Sequence, residues 1–346
     1  FDKITDARKA LKLFEGDKEK GNIVMPTEYT VSEWLEYWLE NVVKPNKQET
    51  TYYGYKQMID NHIKPYMGEI KIQSLKPIAI QQYYTFKSKE ITKNKKSLSS
   101  NTIKKHHDLL KTALELAVRQ EIILSNPISK VISPTARIEE AKFYTPDQMH
   151  QLFTTVEGDR LELVVKLIGY LGLRREEACG LTWGNVNFEK KTLMIKQAMT
   201  QAGSKVIVKE TKNRFSQREL HICNGLMDVL LKEKEIQDGN KITFGADYNK
   251  ENYVVVWANG TPYRPNFLSE MFTKFVNRND LPPLTLHGLR HSYASTAIQA
   301  GVSIYNVARA LGHNSIEMVS KRYGHLLDLA HKETNDKISK LYNEYR

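Results

Sequence analysis

Cysteine is nearly missing: the 346 residues hold only Cys179 and Cys223, and no Cys/His cluster has zinc-ligand spacing. A disulfide framework and a structural zinc site are therefore excluded, and a reducing, cytoplasmic setting is the expectation. Long apolar runs are missing as well; no stretch approaches the roughly 20 residues a bilayer-crossing helix needs. The chain opens at Phe1, with neither Met nor a basic-then-apolar leader, which reads as a piece of something longer. Internal repeats and low-complexity segments are absent too. Acidic charge is the scarcer sign, 40 Asp+Glu against 51 Lys+Arg, for a formal net charge of +11. That balance points to a polyanionic partner, because clustered cations neutralise phosphates and release counterions. A hydrophobic fraction of 40% excludes a mainly disordered chain, and the length suits two domains.

What is there is mostly helical signal. Residues 1–20 read as one charged helix that ends at Gly21-Asn22. Thr30 followed by Glu33 is a capping box, and Val31, Trp34, Leu35, Trp38, Leu39 and Val42 behind it fall on one helical stripe. Further helices are expected over about 51–63, from Pro77 onward, and over about 101–120. Nothing in 29–130 alternates as a strand does, so this stretch is predicted to be an all-helical domain, ended by Asn126-Pro127. Residues 131–143 carry Pro without a clear period and read as a linker. The second domain, 144–346, opens with Thr145-Pro146-Asp147-Gln148, which supplies an N-cap, a first-turn Pro and a box partner. It is predicted to hold an apolar helix over about 160–171, then short strands at 192–197, 205–210 and 218–223. Helices resume from about 266, broken at Pro282-Pro283. The resulting fold class is mainly α with a small antiparallel β-sheet: an all-helical domain followed by an α+β domain.

Between the third and fourth helices lie Lys87, Lys89, Lys93, Lys95 and Lys96, with Lys104 and Lys105 just beyond and Glu90 the only acid among them. A charge run is usually a solvated face. Here Ser97, Ser99, Ser100 and Asn101 stand beside it and can hydrogen-bond a phosphate backbone without reading sequence, so these lysines are expected to contact phosphates.

Three segments of the second domain carry cations in a pattern. Near Gly172 one helix ends and another begins, which puts Arg174 at a helix start with Glu177 three residues on. Taken alone, that is an ordinary surface ion pair. His287 and Arg290 are three apart and share a helical face. Gly312 closes a further helix, His313 occupies the turn, Ser315 caps a short helix, and Tyr323 ends it. With 18 tyrosines in the chain, Tyr323 alone reads equally well as a core aromatic.

As a set, Gly-Leu-Arg-x-x-Glu at 172–177, His-x-x-Arg at 287–290, Leu-Gly-His at 311–313 and the Arg-Tyr ending at 323 resemble the tyrosine recombinases. Within that family the chain is most similar to integrases of conjugative transposons and temperate phages of Gram-positive bacteria, over residues 29–346. The resemblance implies an all-helical core-DNA-binding domain at 29–130 and a catalytic domain at 144–346 with a C-terminal tail helix. It also implies that residues 1–22 are the remnant helix of an amino-terminal arm-binding domain. Arg174 and Arg290 match the paired catalytic arginines, His287 and His313 the two histidine positions, Tyr323 the nucleophile, and Glu177 the support of the first arginine. The catalytic lysine belongs on a β-hairpin; Lys212 is the best match, with Lys209 and Lys205 as competitors. Tyr323-Gly324 departs from the common Tyr-Tyr or Tyr-Ala and leaves the nucleophile in place.

The implied reaction is site-specific recombination through a 3′-phosphotyrosine, integrating or excising a mobile element, with Lys212 protonating the departing 5′ oxygen. Arginine suits it because its planar fork pairs with a phosphate and keeps its charge, while a phenol of pKa about 10 needs such surroundings to ionise. No cofactor or metal is expected, so cleavage should proceed in EDTA. The implied partners are double-stranded core-site DNA, further copies in a DNA-assembled homo-tetramer (a dimer of dimers), and an accessory excision factor; no membrane is involved, and the setting is bacterial cytoplasm. The tail, with Ile338, Leu341, Tyr342 and Tyr345 at helical spacing, is expected to dock on a neighbouring subunit. The competing readings are a type IB-like topoisomerase and a non-catalytic DNA-binding regulator on the same fold.

Overall fold

Thr30 starts the first helix as the capping box requires. Its hydroxyl accepts from Glu33 N at 3.2 Å, and Glu33 Oε2 accepts from Thr30 N at 2.8 Å. The computed structural model describes residues 24–91, 97–137, 142–210, 216–320 and 322–323, with isolated positions 4, 5, 8, 12, 339, 340, 342 and 343. The helices expected at 1–20 and in the tail, together with Lys93, Lys95, Lys96 and Lys212, lie outside the described residues or almost wholly so. The chain divides into two compact units, Phe1–Glu139 and Glu140–Arg346.

The first unit is built from α1 (Val31–Trp38), α2 (Glu49–Met58), α3 (Pro77–Lys89) and α4 (Ser100–Arg119). Both α1 and α2 widen into a π turn, Leu39–Val43 and Ile59–Ile63, before a last short turn at Lys44–Asn46 and Lys64–Met67. Each time the cause is a proline, Pro45 or Pro65. Its ring has no N–H to give and would strike the carbonyl four residues back. The preceding N–H groups, of Lys44 and Lys64, instead bond five residues back to Leu39 O and Ile59 O. Trp34, Leu35, Ile59, Ile63, Ile80, Tyr83, Leu110 and Leu114 form the core, and Trp34 Nε1 donates to Ala113 O at 2.9 Å, tying α1 to α4. Truncating a wholly buried Leu such as Leu110 to Ala removes roughly 2–5 kcal/mol.

The second unit runs α5 (Pro146–Thr155), α6 (Glu162–Leu171), α7 (Arg175–Gly180), β1 (Val186–Asn187), β2 (Thr192–Ile195), β3 (Gln197–Ala202), β4 (Lys205–Glu210), β5 (Arg218–His221), α8 (Asn224–Phe244), α9 (Pro265–Arg278), α10 (Leu286–Gln299) and α11 (Ile304–Leu311). Helix α6 is buried nearly all round, as its apolar sequence demands. The strands make two antiparallel sheets, β1-β2-β5 and the hairpin β3-β4. Two of these strands, β1 and β3, are not among those the sequence predicts: β1 is two residues long, and Gln-Ala-Met-Thr-Gln-Ala lacks the β-branched alternation that marks a strand. Pairing with β4 makes β3 one, from Gln197↔Glu210 to Ala202↔Lys205. A separate apolar cluster of Ala294, Ile298, Val307, Ala308, Leu311, Val319 and Tyr323 joins α10, α11 and the turns after them. Among the described residues no helix is long and apolar enough to cross a membrane.

Candidate active site

Two helices end at this site, and each ends in a left-handed glycine. Gly172 caps α6 at φ +62, and Gly312 caps α11 at φ +65. A Cβ on Gly172 would stand 2.4 Å from Tyr293 Cδ1, so space as well as φ demands glycine there. The last carbonyls of a helix have no partner within it and carry its negative pole. Here arginines take them. Arg290 donates from Nη1 to Gly172 O at 2.7 Å and from Nη2 to Leu311 O at 2.6 Å, and Arg174 Nη2 donates to Gly312 O at 3.2 Å. The glycines of the Gly-Leu-Arg and Leu-Gly-His motifs thus build the cradle for the arginines of the same and neighbouring motifs.

Glu177 fixes the other side of that cradle. It caps α7 by accepting from Arg174 N at 2.8 Å, and it accepts from Arg174 Nη1 at 2.7 Å. Arg218, on β5, adds a two-pronged bond, Nη1 to Oε1 at 3.1 Å and Nη2 to Oε2 at 2.8 Å, while Arg290 Nη1 lies 3.7 Å from Oε2. At 2% exposure Glu177 belongs to no surface ion pair. Burial alone would raise its pKa, but the bonds from Arg218 and the charges of Arg218, Arg174 and Arg290 bring it down to about 2. Three guanidiniums on one carboxylate leave an excess of positive charge, held before any ligand arrives. Burial and the charge of Arg174 lower Arg290 to about 9, still protonated at neutral pH.

Arg218 is the cation that sequence reading passes over. Its signal is the strand period: in Arg-Glu-Leu-His, Arg218 shares the inward face with buried Leu220, and a charge on a core face needs a partner. It also donates through Nε to Ala310 O, so it ties β5 to the end of α11.

The histidines and the tyrosine complete the group. His313 Nε2 lies 3.0 Å from Arg290 Nη2, and among the described residues its buried Nδ1 has no partner. Burial and the surrounding arginines lower His313 to about 4. His287 is exposed, and its pKa is lowered by partial burial and by Arg290 and Arg322. Its ring stands edge-on to that of His291, centroids 4.4 Å apart. Tyr323 is 2% exposed and its hydroxyl meets His291 Nδ1, not His287. His291 is a residue that sequence reading passes over, although it follows Arg290 directly and stands four residues, one turn, past His287. Burial pushes Tyr323 up to about 12, against the opposing charges of Arg322 and Arg290. The arginines favour the phenolate, as expected, but in the free chain desolvation outweighs them. Tyr323 thus belongs to the apolar cluster with Val307, Leu311 and Val319 while its hydroxyl meets His291.

The lysines divide. Lys212 lies outside the described residues. Its competitors are on β4, Lys205 exposed opposite Ala202 and Lys209 half-buried opposite Ala198. In the first unit Lys89 and Lys105 are exposed, and Lys104 Nζ stands 2.7 Å from Asp108 Oδ1. Lys87 departs from the expected open phosphate contact. It is 4% exposed, 2.6 Å from Glu90 Oε2 and over the Phe86 ring at 5.3 Å. The reason is helical phase: Ile80, Tyr83, Tyr84 and Lys87 form the inward face of α3.

The phage integrase family profile matches residues 142–329, and the profile of the phage integrase N-terminal SAM-like domain matches 30–88. A tyrosine recombinase XerC-like protein of Caldanaerobacter subterraneus is 29% identical over 317 residues, 86% of this chain and 80% of that protein. The ICEBs1 integrase of Bacillus subtilis is 26% identical over 300 residues, 86% of this chain and 78% of that one. In fold the chain is similar to the Tn1549 transposon integrase, solved with circular intermediate DNA: TM-score 0.73 at 21% identity, over 89% of this chain and 99% of that one. A lambda integrase dimer bound to a core site gives a TM-score of 0.60 at 18% identity, over 85% and 95%.

Proposed function

This chain belongs to the phage integrase family, and from that premise we propose that it cuts and rejoins DNA through Tyr323. It is a site-specific DNA recombinase of mobile elements, and its partner is DNA. The observation that carries the residue assignment is the gathering of Arg174, Arg218 and Arg290 on the single buried carboxylate of Glu177, with Tyr323 beside them. Such an excess of fixed cation is suited to a phosphodiester whose non-bridging oxygens gain charge in the five-coordinate transition state.

In the proposed reaction the scissile phosphate docks on the free N–H groups of Arg174 and Arg290, with His313 beside them. Tyr323 Oη bonds to phosphorus as the phenol gives up its proton. The bond to the 5′ oxygen breaks, and that oxygen keeps the electron pair and takes a proton from Lys212. The phosphotyrosine conserves the bond energy, so a 5′-hydroxyl of another strand reverses the step without ATP. Two rounds exchange both strands through a Holliday junction. We also propose a homo-tetramer, a dimer of dimers assembled on DNA with the tail docked on a neighbouring subunit, an accessory excision factor, and action in the bacterial cytoplasm. Among the described lysines of the run, Lys89 and Lys105 are exposed, and these are proposed to meet phosphates.

The test is a nicked duplex bearing the element's end, from which the short 5′ fragment diffuses away after cleavage and strands the covalent complex. Peptide mapping should find the nucleotide on Tyr323. A nucleotide on another residue, or an undiminished adduct in Tyr323→Phe, overturns the assignment.

A further inference from the structure

We propose that His291 is a further catalytic residue, one that donates its Nδ1–H to the oxygen of Tyr323 and stabilises the attacking phenolate, and that Arg322 is the positioning residue that sets this tautomer. The inference rests on Tyr323 being the nucleophile. Its basis is proton bookkeeping at one ring. Arg322 Nη1 lies 3.1 Å from His291 Nε2. A guanidinium has five N–H groups and no lone pair to accept with, so it donates and Nε2 accepts. A neutral imidazole with its lone pair on Nε2 carries its hydrogen on Nδ1, the atom that meets Tyr323 Oη. If Tyr323 donated instead, both ring nitrogens would be accepting, which only an imidazolate can do.

A doubly protonated His291 is equally disfavoured, since Arg322, Arg290, His287 and His313 surround it and it is 8% exposed. The phenol oxygen is thus the acceptor. His291 cannot be the base that takes the phenolic proton. That proton leaves by way of water toward His287, which is exposed and has no hydrogen-bond partner among the described residues. As Oη bonds to phosphorus, the Nδ1–H···O bond follows the oxygen's charge from phenolate to ester. At a buried oxygen a donor to a forming anion is worth more than one to a neutral oxygen.

Asn and Asp at 291 have the same shape and reach the Nδ1 position. The first keeps an N–H donor there, and the second offers only acceptors at neutral pH. The probe is a nicked duplex whose bridging 5′ oxygen is replaced by sulfur. A thiolate leaves without a proton, so the single-turnover rate reports attack and is indifferent to Lys212. His291→Asn is expected to cleave at least tenfold faster than His291→Asp. Equal rates, or Asp the faster, overturn the proposal and favour His291 as a base. Arg322→Met is expected to lose more rate in the native background than in His291→Asn, which has no tautomer to set; additive losses remove Arg322 from the proposal. Tyr323→Phe serves as the control: if it still forms the adduct, the reading beneath this one has failed, whatever the variants at 291 do.

Discussion

Both units bury a tyrosine hydroxyl against a histidine nitrogen. In the first, Tyr83 Oη lies 2.8 Å from His106 Nδ1, and both residues are 0% exposed. In the second, Tyr323 meets His291 in nearly the same way. Burial raises the pKa of both phenols. The difference is in what surrounds them. At Tyr83 the neighbours Tyr84 and Glu90 raise it further; at Tyr323 the charges of Arg322 and Arg290 pull against burial. A Tyr–His contact is therefore no signature by itself; what sets Tyr323 apart is the fixed cations that oppose the cost of burying a phenolate.

Exchanging the two tyrosines one at a time breaks the comparison most directly. Tyr323→Phe should abolish the covalent adduct on nicked DNA. Tyr83→Phe should keep it, while leaving a buried imidazole nitrogen unpaired and lowering stability by about 1–3 kcal/mol in denaturant titration. An adduct lost in both would mean that the cations do not distinguish the two sites. The next largest effect tests the fork. Arg290→Lys keeps a charge but cannot span Gly172 O and Leu311 O, and the loss of aimed donors should slow cleavage by roughly 10²–10³. A single-turnover rate within a few-fold of the native protein would show that charge alone suffices.

Much of this arrangement is legible in the sequence, and the exceptions have a common cause. Local rules hold well: the capping boxes at Thr30/Glu33 and Thr145/Gln148 and the helix-ending glycines Gly172 and Gly312 all stand where spacing puts them. Arg174, Glu177, Arg290 and His313 share one set of contacts, and His287 and Tyr323 both meet His291 beside Arg290, whose charge acts on each. What escapes is set by partners distant in sequence. Strand β3 exists through its pairing with β4. Arg218 reads as an ordinary strand residue until Glu177, 41 positions away, is seen beneath it. His291 gains meaning from Arg322 and Tyr323, 31 and 32 positions on. Helix α8 has buried apolar residues only near its start, Leu226, Met227 and Leu230, so its 21 residues show no sustained stripe. Lys87 shows the converse: charge suggests surface, yet helical phase puts it inside.

A third test addresses Glu177, the one buried carboxylate among the described residues. Glu177→Gln leaves Arg174, Arg218 and Arg290 without their counter-charge in a buried place, so the second unit should lose roughly 3–5 kcal/mol of stability. Hydrogen exchange across α6 and α7 reads this directly. The same group gives a pH signature. Its pKa of about 2 in the folded chain, against 4.5 unperturbed, contributes stability above pH 4.5 that is lost as pH falls toward 2.

The last test belongs to the first unit and isolates His106. Burial, with help from the charges of His62 and Lys87, holds His106 down at about 4 against 6.5 when free. Between those values the unfolded chain binds a proton that the folded chain refuses, so stability is whole above pH 6.5 and drains as pH falls toward 4. The full window corresponds to about 3 kcal/mol. His291 and His313, at about 3 and about 4, impose the same direction on the second unit, so the readout must be local. Opening free energies of the α4 amides, corrected for the intrinsic pH dependence of exchange, should fall over this window in the native chain. In His106→Asn, which keeps a polar atom facing Tyr83 but cannot titrate, the fall should shrink to what His62 and His107 contribute, since burial lowers both. An unchanged slope would mean that the buried Tyr83–His106 pair is coupled to protons elsewhere, and its contrast with Tyr323–His291 would then rest on the arginines alone.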